Sequence, residues 1–432
     1  MIKKTNTISF YTLGCRLNQS ETAVLIRSFE ENSKFHVLPS NTAADVAVIN
    51  TCTVTEKGDA DTRKLINKIN RLNSKTYIAL IGCQSQIQKE ELLKLPNVKL
   101  IVGNANKMDL SSIINDLNNN SETTINTPDI PRTPFKIAYA GIDKNHTRAN
   151  IKIQDGCDFF CSYCEVPYAR GRARSREFDD IIKEAKILSS SGHKEIVITG
   201  INVGLYKFKN YQLIDVVSAL EQVQKIKRIR ISSIELTTIP KDLLSKMYAN
   251  SKVCRFLHIP LQSGSDDILK AMNRKYTFEQ FNRFVCEAHN KVSDICIGTD
   301  IIVGFPGETE KHFNETFKNI ENSSVDHFHV FSYSERRMAK SKFLKNNVKP
   351  EAIKKRSELL RDLAQKKSKN FKRSLLGKNM SVLIEQKKTD FWTGLTDNYV
   401  RVEISSSKDL TNQIVNVNLK EFKSQHMAGI II

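Results

Sequence analysis

Residues 156–164, GCDFFCSYC, decide how this chain is read. Three residues separate Cys157 from Cys161, and two separate Cys161 from Cys164. Thiolates packed this closely can fold around one inorganic cluster or one metal ion. Three of them satisfy three irons of a four-iron cluster and leave the fourth open, as a catalytic metal needs. A structural zinc is the competing reading. It requires a fourth ligand, and no Cys or His follows within the next 20 residues.

Around this loop the chain alternates strands and helices. ANIKI (149–153), EIVITG (195–200), RIRISSI (228–234), RFLHIPL (255–261), ICIGTDIIVG (295–304) and HFHVFSY (327–333) are candidate strands with helical stretches between them. Six such units predict a barrel or partial barrel whose polar strand ends make the site. Upstream, TISFYTL (7–13) leads to Gly14-Cys15, DVAVINT (45–51) ends at Cys52 and YIALIG (77–82) ends at Cys83. A helix is expected from about Ser20, capped by Ser20 or Asn18, and another over about 56–72. Apolar strands alternating with helices predict a parallel α/β sheet. All three cysteines fall just past a strand's carboxyl end, where ligands of open parallel sheets gather. From the residues alone, buried core thiols are the favoured reading over ligands. The same core reading applies to Cys254, Cys286 and Cys296, which match no ligand spacing.

The polar, Pro-containing stretch 118–134 reads as a linker, and 350–373 as a basic amphipathic helix with apolar Ile353, Leu360, Leu363 and Ala364. NMSVLIEQ (379–386), FWTGLTDNYVRVEI (391–404) and QIVNVNLKEF (413–422) are short alternating strands, predicting a small OB-like β-barrel. The expected divisions are 1–117, a linker 118–142, 143–373 and 374–432.

The chain has 432 residues, 26% of them charged, and a net charge of +19. That favours a polyanionic partner such as nucleic acid. Residues 340–378 alone hold 14 Lys and Arg against Glu351, Glu358 and Asp362, whereas the end of the chain is balanced. Lys354, Lys355, Lys366 and Lys367 on this helix are candidate RNA contacts, with a solvated helix face as the bland alternative. Arg170, Arg172, Arg174 and Arg176 alternate just after the cysteine loop. An extended segment would put them on one side, to grip phosphates or to form a paired edge. No apolar run could span a membrane, and the start MIKKTNTISFYTLG has no export signature, so a cytoplasmic location is expected. Nine cysteines in such a setting favour metal binding over disulfides.

CxxxCxxC after a strand resembles the radical S-adenosylmethionine (SAM) superfamily. The longer string GCDFFCSYCEVPYARGRARSR (156–176) resembles its methylthiotransferase branch. TLGCRLNQSET (12–22), INTCTVT (49–55) and GCQSQ (82–86) are similar to that family's N-terminal domain. TGINVGLY (199–206), RIRISSIE (228–235), HIPLQSGSDDILKAMNRKYT (258–277) and DIIVGFPGET (300–309) are similar to its barrel, and the terminal β module to its RNA-binding TRAM domain. The resemblance implies a flavodoxin-like N-terminal domain, SAM and two 4Fe-4S clusters. One cluster would sit on Cys157, Cys161 and Cys164 and an auxiliary one on Cys15, Cys52 and Cys83. It implies SAM or substrate contacts at Tyr163, Thr199, Gly200, Ser232, Ser233, Glu235, Gln262 and Asp300. The bottom-up support for these is that polar residues recur at barrel strand ends.

The implied reaction is methylthiolation of an unactivated carbon in the tRNA anticodon stem-loop. A radical is needed because no side-chain base removes such a proton near neutral pH. Catalysis rests on the clusters and SAM, with an electron donor such as flavodoxin or ferredoxin and a monomeric enzyme. Arg16-Leu17 and Glu21-Thr22 resemble the branch acting on N6-threonylcarbamoyladenosine at position 37. The branches acting on isopentenyladenosine or on a ribosomal-protein aspartate differ at these positions. A non-catalytic, redox-sensing RNA-binding protein is the alternative from another class. The chain departs from the family at Ser332 and Arg337-Met338, where relatives tend to carry Pro and Gly-Thr, and Arg337 is a candidate partner for a substrate carboxylate.

Overall fold

VAVINT is buried at every position because apolar neighbours flank it on both sides of a parallel sheet. In this computed structural model, which describes residues 6–53, 56–116, 123–142, 147–248, 251–424 and 426–432, the first sheet has six parallel strands. They are β1 (Asn6–Thr12), β2 (Phe35–Leu38), β3 (Val46–Thr51), β4 (Tyr77–Gly82), β5 (Val98–Val102) and β6 (Thr124–Asn126), in the order β2-β1-β3-β4-β5-β6. Apolar clusters lie on both faces. β1, β3 and β4 are neighbours, so Cys15, Cys52 and Cys83 emerge along one sheet edge.

Two details differ from the sequence expectation. Helix α1 spans Arg16–Glu30, a turn earlier than Ser20, and its N-cap is Cys15 with extended backbone and no side-chain cap. The capping-type residues inside it have other partners. Asn18 donates to the Leu13 and Thr51 carbonyls, and Ser20 to the Asn150 carbonyl. Second, Thr124–Asn126, inside the expected linker, pairs with β5 as a short polar edge strand. Residues 118–122 of that linker and residue 143, the expected start of the barrel, lie outside the described residues.

The six central strands form as expected: β7 (Arg148–Lys152), β8 (Glu195–Thr199), β9 (Arg228–Ile231), β10 (Phe256–His258), β11 (Cys296–Val303) and β12 (His327–Ser332). They make two parallel three-stranded sheets, β7-β8-β9 and β10-β11-β12, joined by a parallel bridge from Ile229 to Val253 and by the Ile234 amide donating to the His258 carbonyl. The result is a partial barrel with one large apolar core. α1 packs on the free edge strand β7, where Ser20 meets the Asn150 carbonyl.

The basic helix Pro350–Ser374 lies against β12, with Pro350 in its first turn. Leu360 and Leu363 join the barrel core, with Ile353 and Ala364 packed beside them. Beyond it, β13 (Asn379–Lys387), β14 (Trp392–Thr396), β15 (Arg401–Ile404), β16 (Ile414–Lys423) and β17 (His426–Ile431) close into a five-stranded barrel. The closing strand β17 goes beyond the strands expected from the sequence. Among the described residues no helix is long and apolar enough to cross a membrane.

Candidate active site

The loop 156–164 leaves the barrel beyond β7 and is held at both ends. Gly156 has φ +68°, and a Cβ there would fall 2.0 Å from the Arg172 carbonyl oxygen, so only glycine fits. The Cys157 amide donates to the Gly171 carbonyl at 3.1 Å. On the far side the Ser162 amide donates to Met272 O, the Ser162 hydroxyl to Ala271 O, and the Asn273 side chain to Phe160 O. Burial pushes the Cys157 thiol up to about 11, with Cys161 adding to it, and burial also raises Cys164. Such thiols keep their protons at neutral pH unless a cationic core displaces them. Three soft donors on one braced loop fit a four-iron cluster with one iron open to SAM. Among the described residues no group of three His, Cys, Asp or Glu is arranged to hold a single metal ion.

Arg274, which does not stand out in the sequence, is the main polar brace of this loop. It is buried, and it donates from Nη1 to Cys161 Sγ at 3.4 Å and to Glu235 Oε1 at 2.9 Å. Its Nη2 reaches the Pro260 carbonyl at 2.7 Å and the Tyr276 hydroxyl. It sits inside the string 258–277, so the motif is visible even though a lone arginine past a helix end reads as surface.

The expected cofactor residues divide. Tyr163, Gln262 and Asp300 line one cavity of about 180 Å³ beside the cysteine loop, with Ser332 and Phe331. Gln262 is held at φ +78°, bridging to β11. Gly200 lies where Gln154 Oε1 accepts the next two amides, at 3.0 and 2.9 Å. The Thr199 hydroxyl is buried and donates to the Ile151 carbonyl, so it is a strand-end hydrogen bond. Glu235 carries its carboxylate to Arg274 rather than into open space. Ser232 and Ser233 line a second cavity inside the barrel.

Cys52 and Cys83 are buried and Cys15 is exposed along the sheet edge. Gly14 has φ +88°, and a Cβ there would overlap Cys52 Cβ and Sγ at 2.6 Å, so glycine lets the two segments close up. Arg170 corrects the phosphate-gripping reading. Its guanidinium is buried, donates to Cys83 Sγ at 3.0 Å, and pairs with Glu21 at 2.9 Å and Asp155 at 3.0 Å. Arg174 is likewise drawn inward to Asp155 at 3.2 Å, and Arg176 is buried against Asp180 and Glu184. Only Arg172 of the four is half-exposed, lying over the Phe160 ring with Asp158 at 3.6 Å. The segment is not an extended, one-sided comb because Val166–Arg170 is helical and Gly171 turns the chain.

On the long helix Lys354, Lys355 and Lys366 are exposed, whereas Lys367 is half-buried and donates to the Ser323 carbonyl at 2.8 Å. Arg337 is exposed and pairs with Glu91 on the N-terminal sheet domain. Its neighbour Arg336 is the buried one, bound to Asp59, Glu165 and Thr53. Cys254 and Cys296 are core thiols, but Cys286 is exposed because its helix buries Phe281, Val285 and Ala288 instead.

Residues 151–320 match the Radical SAM superfamily, and residues 7–103 match a family described as Uncharacterized protein family UPF0004. The threonylcarbamoyladenosine tRNA methylthiotransferase of Bacillus subtilis (strain 168) is 34% identical, aligned over 96% of this chain and 93% of its own length. That of Aquifex aeolicus (strain VF5) is 35% identical over 93% of this chain and 98% of its own. The tRNA-2-methylthio-N(6)-dimethylallyladenosine synthase of Thermodesulfovibrio yellowstonii is 31% identical over 99% of both. Among solved structures, the radical SAM methyltransferase TsrM from Kitasatospora setae superposes with a TM-score of 0.55 at 14% identity, covering 76% of this chain and 75% of that one. At that identity it shows a shared fold alone. A braced three-thiol loop on a partial barrel, joined to near full-length relatives above 30% identity, places this chain in the radical SAM methylthiotransferase family.

Proposed function

We propose that this enzyme adds a methylthio group to C2 of N6-threonylcarbamoyladenosine at position 37 of tRNA, beside the anticodon. The observation that carries the substrate is the naming of relatives. Four at 33–35% identity carry the threonylcarbamoyladenosine name, while those named for dimethylallyladenosine align at 30–32%. Cys157, Cys161 and Cys164 would hold a cluster that, with SAM, would supply the methyl group and a carbon radical, while the sulfur would come from a separate donor. The chain's own residues hold the loop (Arg274, Asn273) and form the adjacent cavity (Tyr163, Gln262, Asp300), with Gly200 at the end of β8.

A second four-iron cluster on Cys15, Cys52 and Cys83 is part of this reading. Its support is the shared sheet edge and the Arg170 guanidinium set against Cys83, a cation placed to offset thiolate charge. Of the basic candidates named from the sequence, Lys354, Lys355, Lys366 and Arg172 remain exposed to meet RNA, and a small one-electron protein would reduce the enzyme, acting as a monomer in the cytoplasm. The test is product analysis by mass spectrometry after incubating reconstituted enzyme with tRNA carrying either modification. Methylthio product on the threonylcarbamoyl tRNA is expected, and product on the isopentenyl tRNA alone would overturn the substrate. Anaerobic reconstitution should give about eight irons per chain. Replacing Cys15, Cys52 and Cys83 with Ala should halve that while SAM cleavage persists, and full iron content in that variant would remove the auxiliary site.

A further inference from the structure

Inside the partial barrel lies a cavity of about 230 Å³ that the cluster loop does not reach. Its walls are the inward residues of β9, β10 and β12, and it is closed by Arg16 at the start of α1 and by Tyr399 of the terminal barrel. Three separate parts of the chain therefore meet around one small space.

The charges in this lining are unbalanced. No Asp or Glu lines the cavity among the described residues. Arg230 is neutralised by Glu195 at 2.7 Å, and His258 is held by Asp300 at 2.9 Å. Burial drives His327 down to about 3, with His258 and His329 adding to the effect, and burial also lowers His329, so both imidazoles are neutral at pH 7. Arg16 is different. Its Nη2 donates to the Tyr399 hydroxyl at 2.6 Å, and no carboxylate pairs with it among the described residues. Tyr399 reports the same excess: burial raises its pKa, yet Arg16, then Arg148 and Arg230, outweigh this and hold it below the ordinary value. A half-buried guanidinium without an anion is an anion's binding partner. Beside it, the Ser232 hydroxyl is buried with no hydrogen-bond partner. The space thus offers one cation, with a buried hydroxyl that lacks a partner in its wall.

The cavity also adjoins the cofactor pocket. Asp300, which holds His258 in this cavity's wall, lines the neighbouring cavity with Tyr163 and Gln262. A base presented there would have a substituent within reach of the barrel interior.

We propose that this cavity receives the threonyl end of the substrate's N6 substituent, with Arg16 pairing its carboxylate and Ser232 bonding its polar groups. The proposal rests on the substrate reading above and deepens it by naming the group that discriminates. An all-carbon isopentenyl group would leave Arg16 desolvated without an anion and Ser232 without a partner, and sites built to hydrogen-bond a polar group reject analogues lacking it strongly. Tyr399 is a positioning residue, since its hydroxyl fixes the guanidinium.

The experiment measures equilibrium binding of labelled anticodon stem-loops to the reconstituted full-length enzyme, without turnover. The probes carry threonylcarbamoyladenosine, its carboxyl methyl ester, or plain adenosine at position 37. Wild type should bind the acid best. Arg16→Gln should weaken acid binding by about 10- to 100-fold, the range of a lost charge-assisted hydrogen bond, leave plain adenosine unchanged and erase the preference for acid over ester. Arg16→Lys should restore part of that preference. Because Arg16 follows Cys15, iron content is measured for each variant. Tyr399→Phe, on the terminal barrel, must shift the acid-to-ester ratio in the same direction with iron unchanged. Equal binding of acid and ester by wild type overturns the proposal, as does an Arg16→Gln loss that is equal for all three probes. If wild type prefers the acid to plain adenosine and methylthiolates it but ignores esterification, the cavity assignment falls and the substrate reading stands. If wild type methylthiolates only isopentenyl tRNA, both fall.

Discussion

Glu21→Gln tests whether a buried charge cluster ties the N-terminal sheet to the barrel. Glu21 is fully buried on α1. Lys107, Lys152 and Arg170 converge on its carboxylate, with Lys152 at 2.7 Å and Arg170 at 2.9 Å. Asp155 takes a second set of partners, Lys152 at 2.7 Å, Arg170 at 3.0 Å and Arg174 at 3.2 Å. Four cations thus face two carboxylates, and the variant leaves four facing one. Removing one partner of a buried pair costs about 3–5 kcal/mol, because the stranded charge stays desolvated. Lys107 sets a ceiling on that cost. Burial and the Arg170 guanidinium already push its pKa down to about 8, so it can shed its proton once Glu21 is neutral, and Asn104 Oδ1 still accepts from it at 2.6 Å.

At roughly 3–6 °C per kcal/mol for a domain of this size, the transition of the N-terminal part should fall by roughly 9–30 °C. The assay is calorimetry on apo-protein, so that cluster loss does not contribute. The pH dependence follows from the sign of the shift. The surrounding cations hold Glu21 below the ordinary carboxylate range against its own burial, so its contribution is complete above the unfolded pKa and is lost as pH falls through the folded one. The gap between wild type and variant should be constant from about pH 5 to 7 and narrow on acidification. A variant melting within about 2 °C of wild type at pH 7 would refute the reasoning.

Two further outcomes follow from the site. Arg274→Gln removes the donor to Cys161 Sγ and strands Glu235, so SAM cleavage should fall about 10–100-fold with an altered electron paramagnetic resonance spectrum of the reduced cluster. An unchanged spectrum and rate would make Arg274 a bystander. Replacing exposed Lys354, Lys355 and Lys366 with Gln should flatten the salt dependence of tRNA binding by about 0.9 in log–log slope for each phosphate that is no longer neutralised, whereas Lys367→Gln should leave the slope unchanged and loosen the helix at Ser323. Equal slopes for the triple variant and wild type, measured by anisotropy, would return this helix to a solvated face.

The architecture was legible where local pattern governs it. The buried strands VAVINT and YIALIG, the six barrel strands and the basic helix with its Leu360 and Leu363 face all follow from hydrophobic periodicity. What the sequence hid was the long-range pairing of charges. For Arg170 and Arg174 the sequence left phosphate gripping and internal pairing open, because Glu21, which Arg170 pairs with, lies 149 residues away. Capping residues misled for the same reason. Asn18 and Ser20 are helix-interior residues whose side chains join strand ends to the barrel, a use no local rule detects. Strand β17 escaped because its MAGII is short and small-residue-rich, and its place is set by closing the barrel between β15 and β16.

Glu165 explains how the two cysteine groups are kept in register. It follows Cys164 directly, is buried, and accepts the Thr53 hydroxyl at 3.0 Å, where Thr53 directly follows Cys52. The same carboxylate accepts the Met338 amide at 2.7 Å and faces Arg336 at 3.4 Å, and Arg336 in turn holds Asp59 at 2.8 Å. One side chain thus joins the segments that follow Cys52 and Cys164 to the loop at Arg336 and Met338. The loop meets Glu165 through the backbone of Met338 and the side chain of Arg336, not through Arg337. A backbone hydrogen bond tolerates a change of side chain, so the contact at Met338 does not depend on which side chain stands there. The rim side chain of Arg337 pairs with Glu91, while the Glu165 contacts tie the loop to both cysteine-bearing segments.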